Sequence, residues 1–328
     1  MTQIIKDIER AAEALHRGAV VAIPTETVYG LAGSIYSDEA IKKIYEVKQR
    51  PYSSPLIAHV PNIDVLSELC SDIPQVAYDL AEALWPGPLT LVLRKQKSVS
   101  GLFTSGNDTI AVRMPAHKLT LALLQYLGEP LAAPSANPFG QVSPTTAAHV
   151  YQYFKGRIPY ILNGGPCTVG IESTIIGFEE GRPILYRRGC ADERVISKIV
   201  GKPNEMLLSD SKSQAPGMLL RHYAPRTSLR LCEADEISVT LNECAHLKTG
   251  LITFSHAVAH PYVTNIVLSP EHSLERAAAG LYAALHELDN KGLDIIIAEK
   301  FENAGIGMTL NDRLVRAAAS HRDVKQNT

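Results

Sequence analysis

The chain has 328 residues, of which 45% are hydrophobic and 20% charged, and its formal net charge is −2. This balance describes an ordinary globular protein with enough length for two domains, and it excludes a disordered chain, a collagen-like repeat and a disulfide scaffold. Near-neutral charge argues against a protein that coats nucleic acid, while leaving room for a local basic pocket.

Ile4, Ile8, Ala11, Ala12 and Leu15 recur at helical spacing and stop at Gly18, which predicts a first helix. Ala19 to Ile23 reads as a short strand. At its carboxyl end lies the polar Thr25-Glu26-Thr27, a usual place for a binding loop in an α/β protein. Ser37 or Asp38 can cap a helix that runs to about Lys48 and must stop before Pro51. Leu56 to Val60 is the next strand. Helices are predicted near Pro74–Leu84 and Leu119–Leu127, and strands near Leu89–Leu93, Thr109–Arg113, Tyr160–Leu162, Ser173–Gly177 and Ile184–Arg187. Several strands follow one another with no helix between them, so a mixed sheet is expected rather than a parallel one.

From about Gly201 to Ala224 the sequence turns polar, which marks a linker. Beyond it, strands near Ser228–Leu231, Gly250–Phe254, Val263–Leu268 and Leu293–Ala298 accompany helices at Leu274–Leu288 and Leu310–Ala319. This is the pattern of a smaller Rossmann-like βαβ domain. The expected division is 1–205, a linker at 206–226, and 227–328.

Cys70, Cys167, Cys190, Cys232 and Cys244 are widely spaced with no CxxC pair, so neither a disulfide framework nor a zinc site is indicated. Lys6, Asp7, Glu9 and Arg10 break up the first apolar residues, and no apolar run reaches membrane-spanning length. A reducing, cytoplasmic location is expected.

Neither GxxxxGK[ST] nor GxGxxG between strand and helix is present, so a phosphate site must be built from side chains or other loops. Gly164-Gly165-Pro166 lacks both the lysine and the following helix and reads as a turn, and Gly305-Ile306-Gly307 is an incomplete fingerprint. No GxSxG, no HExxH and no ligand-spaced His cluster points to a hydrolytic triad or a metal centre.

Polar clusters interrupt the apolar strands instead. They hold Thr27; Lys48, Arg50, Ser54 and His59; Thr109 and Arg113; Ser135, Asn137 and Ser143; and Ser173 with Arg187. Their guanidinium and ammonium groups can hold a phosphate or carboxylate, and the hydroxyls can complete its hydrogen-bond shell. A Lys-x-Arg at a helix end ordinarily complements the helix dipole and faces solvent. Thr-Glu-Thr and Ser-Ala-Asn are common turn residues, and a histidine on an apolar strand is usually a satisfied, partly buried one. Arg113 carries more information, because strand alternation puts Thr109, Ala111 and Arg113 on one face.

The segments PTETVYGL (Pro24–Leu31), KQRP…PL (Lys48–Leu56), VRMP (Val112–Pro115), APSAN (Ala133–Asn137), GIESTI (Gly170–Ile175) and RRG (Arg187–Gly189) occur in order. The chain thereby resembles the YrdC-like family of threonylcarbamoyl-AMP synthases over essentially all of residues 1–200. Pro216-Gly217-Met218 and Arg221-His222-Tyr223-Ala224-Pro225 resemble the linker of the family's long, two-domain form.

That resemblance implies an open twisted mixed sheet with flanking helices, and an enzyme that converts L-threonine, bicarbonate and ATP to L-threonylcarbamoyl-AMP and pyrophosphate. The product would be the donor for threonylcarbamoyladenosine beside the tRNA anticodon. It implies Thr27, His59, Arg113, Ser173 and the Ala133 backbone around threonine, with Arg113 on the carboxylate. Lys48, Arg50, Ser54, Thr109, Ser135, Asn137, Ser143 and Arg187 would surround ATP, with Lys48 and Arg50 on the phosphates and Tyr223 closing over the nucleotide. Lys48, Arg50 and Arg113 would carry catalysis. Mg²⁺ would enter with ATP, held by phosphates and water. The partners implied are the substrates and the transferase complex that uses the product, with tRNA contact weak or indirect. The rival readings are a non-enzymatic module for double-stranded RNA and a carbamoyl transferase using carbamoyl phosphate.

Overall fold

The computed structural model describes residues 1–206, 223–260 and 263–319. They divide into two compact units. One comprises Met1–Phe139 and Pro144–Leu219, the other Gly140–Ser143 and Leu220–Thr328, each counted for its described residues. Most of the expected linker, 207–222, lies outside the described residues. The short Gly140–Ser143 segment joins the second unit, which no feature of its sequence announces.

In chain order the first unit contains β1 (Gln3–Ile5), α1 (Ile8–His16), β2 (Val21–Ile23), β3 (Gly30–Ser34), α2 (Asp38–Lys48), β4 (Ile57–His59), α3 (Leu66–Leu69), α4 (Gln75–Leu84), β5 (Leu89–Arg94) and β6 (Thr109–Arg113). These are followed by α5 (Lys118–Leu127), β7 (Leu131–Ala132), α6 (Ala147–Phe154), β8 (Tyr160–Leu162), β9 (Thr174–Glu179), β10 (Arg182–Arg187), α7 (Glu193–Val200) and β11 (Asn204–Glu205). The strands form one 11-stranded sheet in the order β1-β8-β2-β3-β7-β4-β6-β5-β9-β10-β11. It is mixed: β4 runs parallel to β6, β6 antiparallel to β5, and β5 parallel to β9.

Local chemistry accounts for the helix ends that matter. Asp7 accepts from Arg10 N and starts α1, and Ser37 accepts from Ala40 N and starts α2. Gln49, in the left-handed region at φ 53°, ends α2 and turns the chain into Arg50.

The first expected helix is corrected. Ile4 belongs to β1, because residues 3–5 pair in parallel with Tyr160–Leu162, and α1 begins only after its Asp7 cap. Long-range ladder bonds here outweigh a local helical period. Strand β3, Gly30-Leu-Ala-Gly-Ser, has little β-branched character to reveal it. Its Gly33 faces α2 so closely that a Cβ would lie 3.3 Å from both Ala40 and Ile44 side chains, so glycine serves helix packing.

One apolar cluster lies on one side of the sheet and joins Ile41, Ile44, Leu80, Val150, Ile196, Ile110 and Val112. A second joins Ala11, Leu15, Leu123 and Leu124 to Val21, Ile23 and Ala32. A third is made of strand residues alone: Ile57, Val92, Ala111, Ile175, Ile184 and Tyr186.

The second unit has β12 (Ser228–Cys232), α8 (Ile237–Glu243), β13 (Thr249–Thr253), β14 (Val263–Val267), α9 (Leu274–Asp289), β15 (Ile295–Glu299) and α10 (Ile306–Ala319). Its strands form a parallel sheet in the order β12-β15-β13-β14. Helix α8 connects β12 to β13 and α9 connects β14 to β15, which agrees with the expected Rossmann-like pattern, whereas the parallel β13 and β14 are joined with no helix among the described residues. Among the described residues no helix is long and apolar enough to cross a membrane.

Candidate active site

The register of the large sheet lays out a face on which apolar and polar residues are sorted by row. Because side chains alternate, Ile110 and Val112 enter the core, and Thr109, Ala111 and Arg113 occupy the opposite face. Ile57, Ala111 and Val92 are register partners across β4, β6 and β5 and form the apolar floor. Val92 pairs with Gly177, where a Cβ would lie 2.5 Å from the Tyr186 ring, so Tyr186 extends this floor over a bare backbone. The next row toward the end of β6 turns polar on β4, β6 and β5, where His59 pairs with Arg113 and Thr90 pairs with the apolar Ile175 of β9.

Arg113 is held at every corner of its guanidinium. Nε donates to Gly87 O at 3.2 Å and Nη1 to Thr27 Oγ1 at 2.9 Å. Nη2 forms an ion pair with Glu26 Oε1 at 2.6 Å, the two side chains being 5% and 7% exposed. Neither Glu26 oxygen receives an aligned hydrogen bond among the described residues. Thr25 Oγ1 braces the loop by donating to Val28 O at 2.6 Å and lying 2.8 Å from Thr27 Oγ1.

His59 is buried beside this pair, and its pKa is pushed down to about 3, by burial first and then by the Arg113 charge, against a backbone hydrogen bond at Ile57. Its Nδ1 has no hydrogen-bond partner among the described residues. The Cys167 thiol is raised to about 12 by burial and then by Glu26, so it is a neutral group rather than a nucleophile.

Ser173 stands beside this cluster. Its Oγ lies 2.7 Å from Thr90 Oγ1 and accepts from Arg187 Nη2 at 2.9 Å, while Arg187 Nε donates to Ser173 O at 3.0 Å. Gly87 and Pro88 tie the two groups together, since Gly87 O receives Arg113 and Pro88 O receives Thr174 N at 2.9 Å. The RRG turn comes so near that a Cβ on Gly189 would fall on Thr174 N and the Ser173 carbonyl carbon.

Lys48 does not face solvent from its helix end. It is 1% exposed, and its Nζ donates to Ser135 O and Asn137 O, each at 2.6 Å. Burial, and then the neighbouring Arg50, hold its pKa well below the ordinary lysine value. Arg50 donates to Ser54 O at 3.1 Å and Pro55 O at 2.9 Å, shaping the KQRP turn. The 133–139 segment is stitched to the Thr-Glu-Thr loop as well: Ala136 N donates to Tyr29 O and Leu31 N to Pro134 O, both at 2.7 Å. Ala133 N donates to Ile57 O at 3.0 Å.

Thus Thr27, His59, Arg113, Ser173 and Arg187 converge, and Lys48, Arg50, Ser54, Ala133, Ser135 and Asn137 form an adjoining framework. Thr109 shares the face of Arg113 but lies at the other end of β6, about 13 Å away by strand rise. There it borders a cavity of about 790 Å³ with Val92, Arg94 and Tyr186. Ser143 and Tyr223 belong to the second unit. In it, Ser143 O lies 3.1 Å from His286 Nε2, and Tyr223 stacks on Tyr282 at 5.9 Å with the Arg313 guanidinium 4.9 Å from its ring. Among the described residues no group of three or more His, Cys, Asp or Glu is placed to hold a metal ion.

Sequence reasoning missed Glu26 and Thr90 as site residues. A carboxylate three residues past the end of β2, between two threonines in an apolar context, is the signal that singles out Glu26. Thr90 has none, since a threonine in a strand is ordinary.

Residues 13–189 match the Sua5_yciO_yrdC family model, described as telomere recombination, and residues 191–319 match the model described as threonylcarbamoyl-AMP synthase, C-terminal domain. The chain is 39% identical to threonylcarbamoyl-AMP synthase of Pyrococcus abyssi (strain GE5 / Orsay), over 97% of this chain and 95% of that one. It is 40% identical to threonylcarbamoyl-AMP synthase of Bacillus subtilis (strain 168), over 95% of this chain and 92% of that one. The crystal structure of P. abyssi Sua5 complexed with L-threonine superimposes with a TM-score of 0.91 at 36% identity, covering 97% of this chain and 98% of that one. Matched in both its parts and along nearly its whole length, this chain belongs to the threonylcarbamoyl-AMP synthase family, in the form that carries the C-terminal domain.

Proposed function

We propose that this chain condenses L-threonine, bicarbonate and ATP into L-threonylcarbamoyl-AMP with release of pyrophosphate, supplying the donor for threonylcarbamoyladenosine beside the tRNA anticodon. The observation that supports it most is the likeness, along 97% of the chain, to a P. abyssi protein solved with L-threonine. The buried Arg113 in the polar row of the sheet supplies a group suited to an amino-acid carboxylate.

In this reading the threonine amine reacts with bicarbonate, or CO₂ formed from it, to give a carbamate. A carbamate oxygen then attacks the α-phosphorus of ATP and pyrophosphate leaves. No protein nucleophile is required, so the protein's work is to position reactants and stabilise charge. Arg113 takes the threonine carboxylate, with Thr27, His59, Ser173 and the Ala133 backbone around the rest. Lys48 and Arg50 serve the phosphates, and Ser54, Thr109, Ser135, Asn137 and Arg187 complete the nucleotide's surroundings. The apolar row Ile57, Val92 and Ala111 offers flat contact between Arg113 and Thr109. ATP would bring Mg²⁺ with it, and the ion would supply charge neutralisation on the phosphates without a protein carboxylate cage. The partner is the transferase that consumes the adenylate, and tRNA contact is weak or indirect.

The test is incubation with ATP, labelled bicarbonate and threonine. A labelled acyl-adenylate that requires all three substrates is expected, together with pyrophosphate. Label or pyrophosphate that forms as well without threonine overturns the reading, and serine as competitor measures amino-acid choice.

A further inference from the structure

Glu26 is a carboxylate 6% exposed, and the only charged group the described residues place against it as an ion pair is Arg113. Burying a carboxylate is costly unless its lone pairs are used. Here Oε1 has the 2.6 Å ion pair, while neither oxygen receives an aligned hydrogen bond among the described residues. Glu26 is not needed to aim Arg113, because Gly87 O and Thr27 Oγ1 already set two of its three nitrogens.

Charge balance indicates what completes the site. His59 and the Cys167 thiol nearby are held neutral, so beside the Thr-Glu-Thr loop the charges that face each other are those of Glu26 and Arg113, while the Arg187 guanidinium is turned to Ser173. A ligand carrying only a carboxylate would meet Arg113 but would set its negative charge beside that of Glu26, whose oxygens receive no aligned hydrogen bond among the described residues. An α-amino acid brings one charge of each sign on adjacent atoms, and each can meet its opposite.

We propose that Glu26 is the recognition group for the ammonium of the amino-acid substrate, so that Glu26 and Arg113 together read the zwitterionic head group. This deepens the function proposed above and rests on threonine being the substrate. It makes Glu26 a determinant of specificity for free α-amino acids over their amine-free counterparts.

The test compares binding of L-threonine and of 2,3-dihydroxybutanoate, in which a hydroxyl replaces the ammonium, to the full chain and to Glu26→Gln and Glu26→Asp, by calorimetry. Urea unfolding of each variant establishes that it is folded. Glu26→Gln is expected to weaken threonine ~30-fold or more while leaving the hydroxy analogue within ~3-fold, as loss of a charge-assisted contact predicts. Glu26→Asp, which keeps the charge, should recover part of the threonine affinity. Equal losses for both ligands would mean that Glu26 acts only through Arg113 and would overturn the proposal, as would unchanged threonine binding in Glu26→Gln. Failure of the unaltered chain to bind threonine at all would instead remove the reading on which it rests.

Discussion

The ammonium of Lys48 lies 2.6 Å from the carbonyl oxygen of Asn137, and at the same distance from that of Ser135. The last residue of α2 is thereby riveted to the loop that carries Ser135 and Asn137, and Phe139 N returns the tie by donating to Lys48 O at 2.7 Å. A charge-assisted pair of this kind, on a side chain only 1% exposed, holds loop geometry that the backbone alone would not keep.

Lys48→Met keeps most of the aliphatic volume and removes the donor. We expect a loss of about 2–4 kcal/mol in stability, since two buried carbonyls lose their partner. Threonine-dependent pyrophosphate release should fall ~100-fold or more. The urea midpoint and the turnover of the same preparation check both. A folded variant with undiminished turnover would remove Lys48 from the machinery.

The Arg113–Glu26 pair should show strong coupling. Arg113→Met strands a buried carboxylate and is expected to cost about 3–5 kcal/mol, whereas Arg113→Met combined with Glu26→Gln should regain most of that stability without regaining activity. Arg113→Lys cannot reach Gly87 O, Thr27 Oγ1 and Glu26 together and should not rescue turnover. Urea denaturation of the cycle, with turnover of each member, makes the comparison. Additive stability losses would mean that the pair is not coupled.

Acid stability offers a third check. His59 has its pKa lowered to about 3, so between that value and the ordinary histidine value of about 6.5 the unfolded chain binds a proton that the folded chain does not. Stability therefore is full above pH 6.5, falls as the pH drops, and levels off below about pH 3, by on the order of a few kcal/mol for this residue. His149, lowered to about 4 by burial, acts in the same direction. His59→Gln should flatten part of the slope of unfolding free energy between pH 6.5 and 4, and an unchanged slope would contradict the burial argument.

Gly189→Ala tests the close approach of the RRG turn to Ser173. The added methyl would fall on the backbone of Ser173 and Thr174 and lie 2.6 Å from Glu172 O, so the turn or Ser173 must move. We expect about 1–3 kcal/mol of destabilisation and a raised KM for threonine. Wild-type KM in the variant would show that the turn moves away without disturbing Ser173.

Much of the architecture was legible in the sequence because it is written locally. Ser37 and Lys48 bound α2 as the cap and period require, and Thr109–Arg113 and Tyr160–Leu162 are strands at the residues expected. Ile4, assigned to a helix by period, was decided by a partner 157 residues away at Ile161. Strand β3 and the helices α6 and α7 were not foreseen, being short or rich in small residues.

The same division runs through the site. By itself the sequence determined which residue types gather at the strand ends and, through alternation on β6, that Thr109 and Arg113 share a face. Only the tertiary structure decided what those charges touch. Lys48, expected to contact phosphate or water, has its charge on two backbone carbonyls, and Arg113 meets Glu26 87 residues away in the chain. Hydrophobic period and capping are short-range and survive in one dimension. The pairing of buried charges is set by sheet register, where parallel and antiparallel neighbours bring distant strand ends into one row.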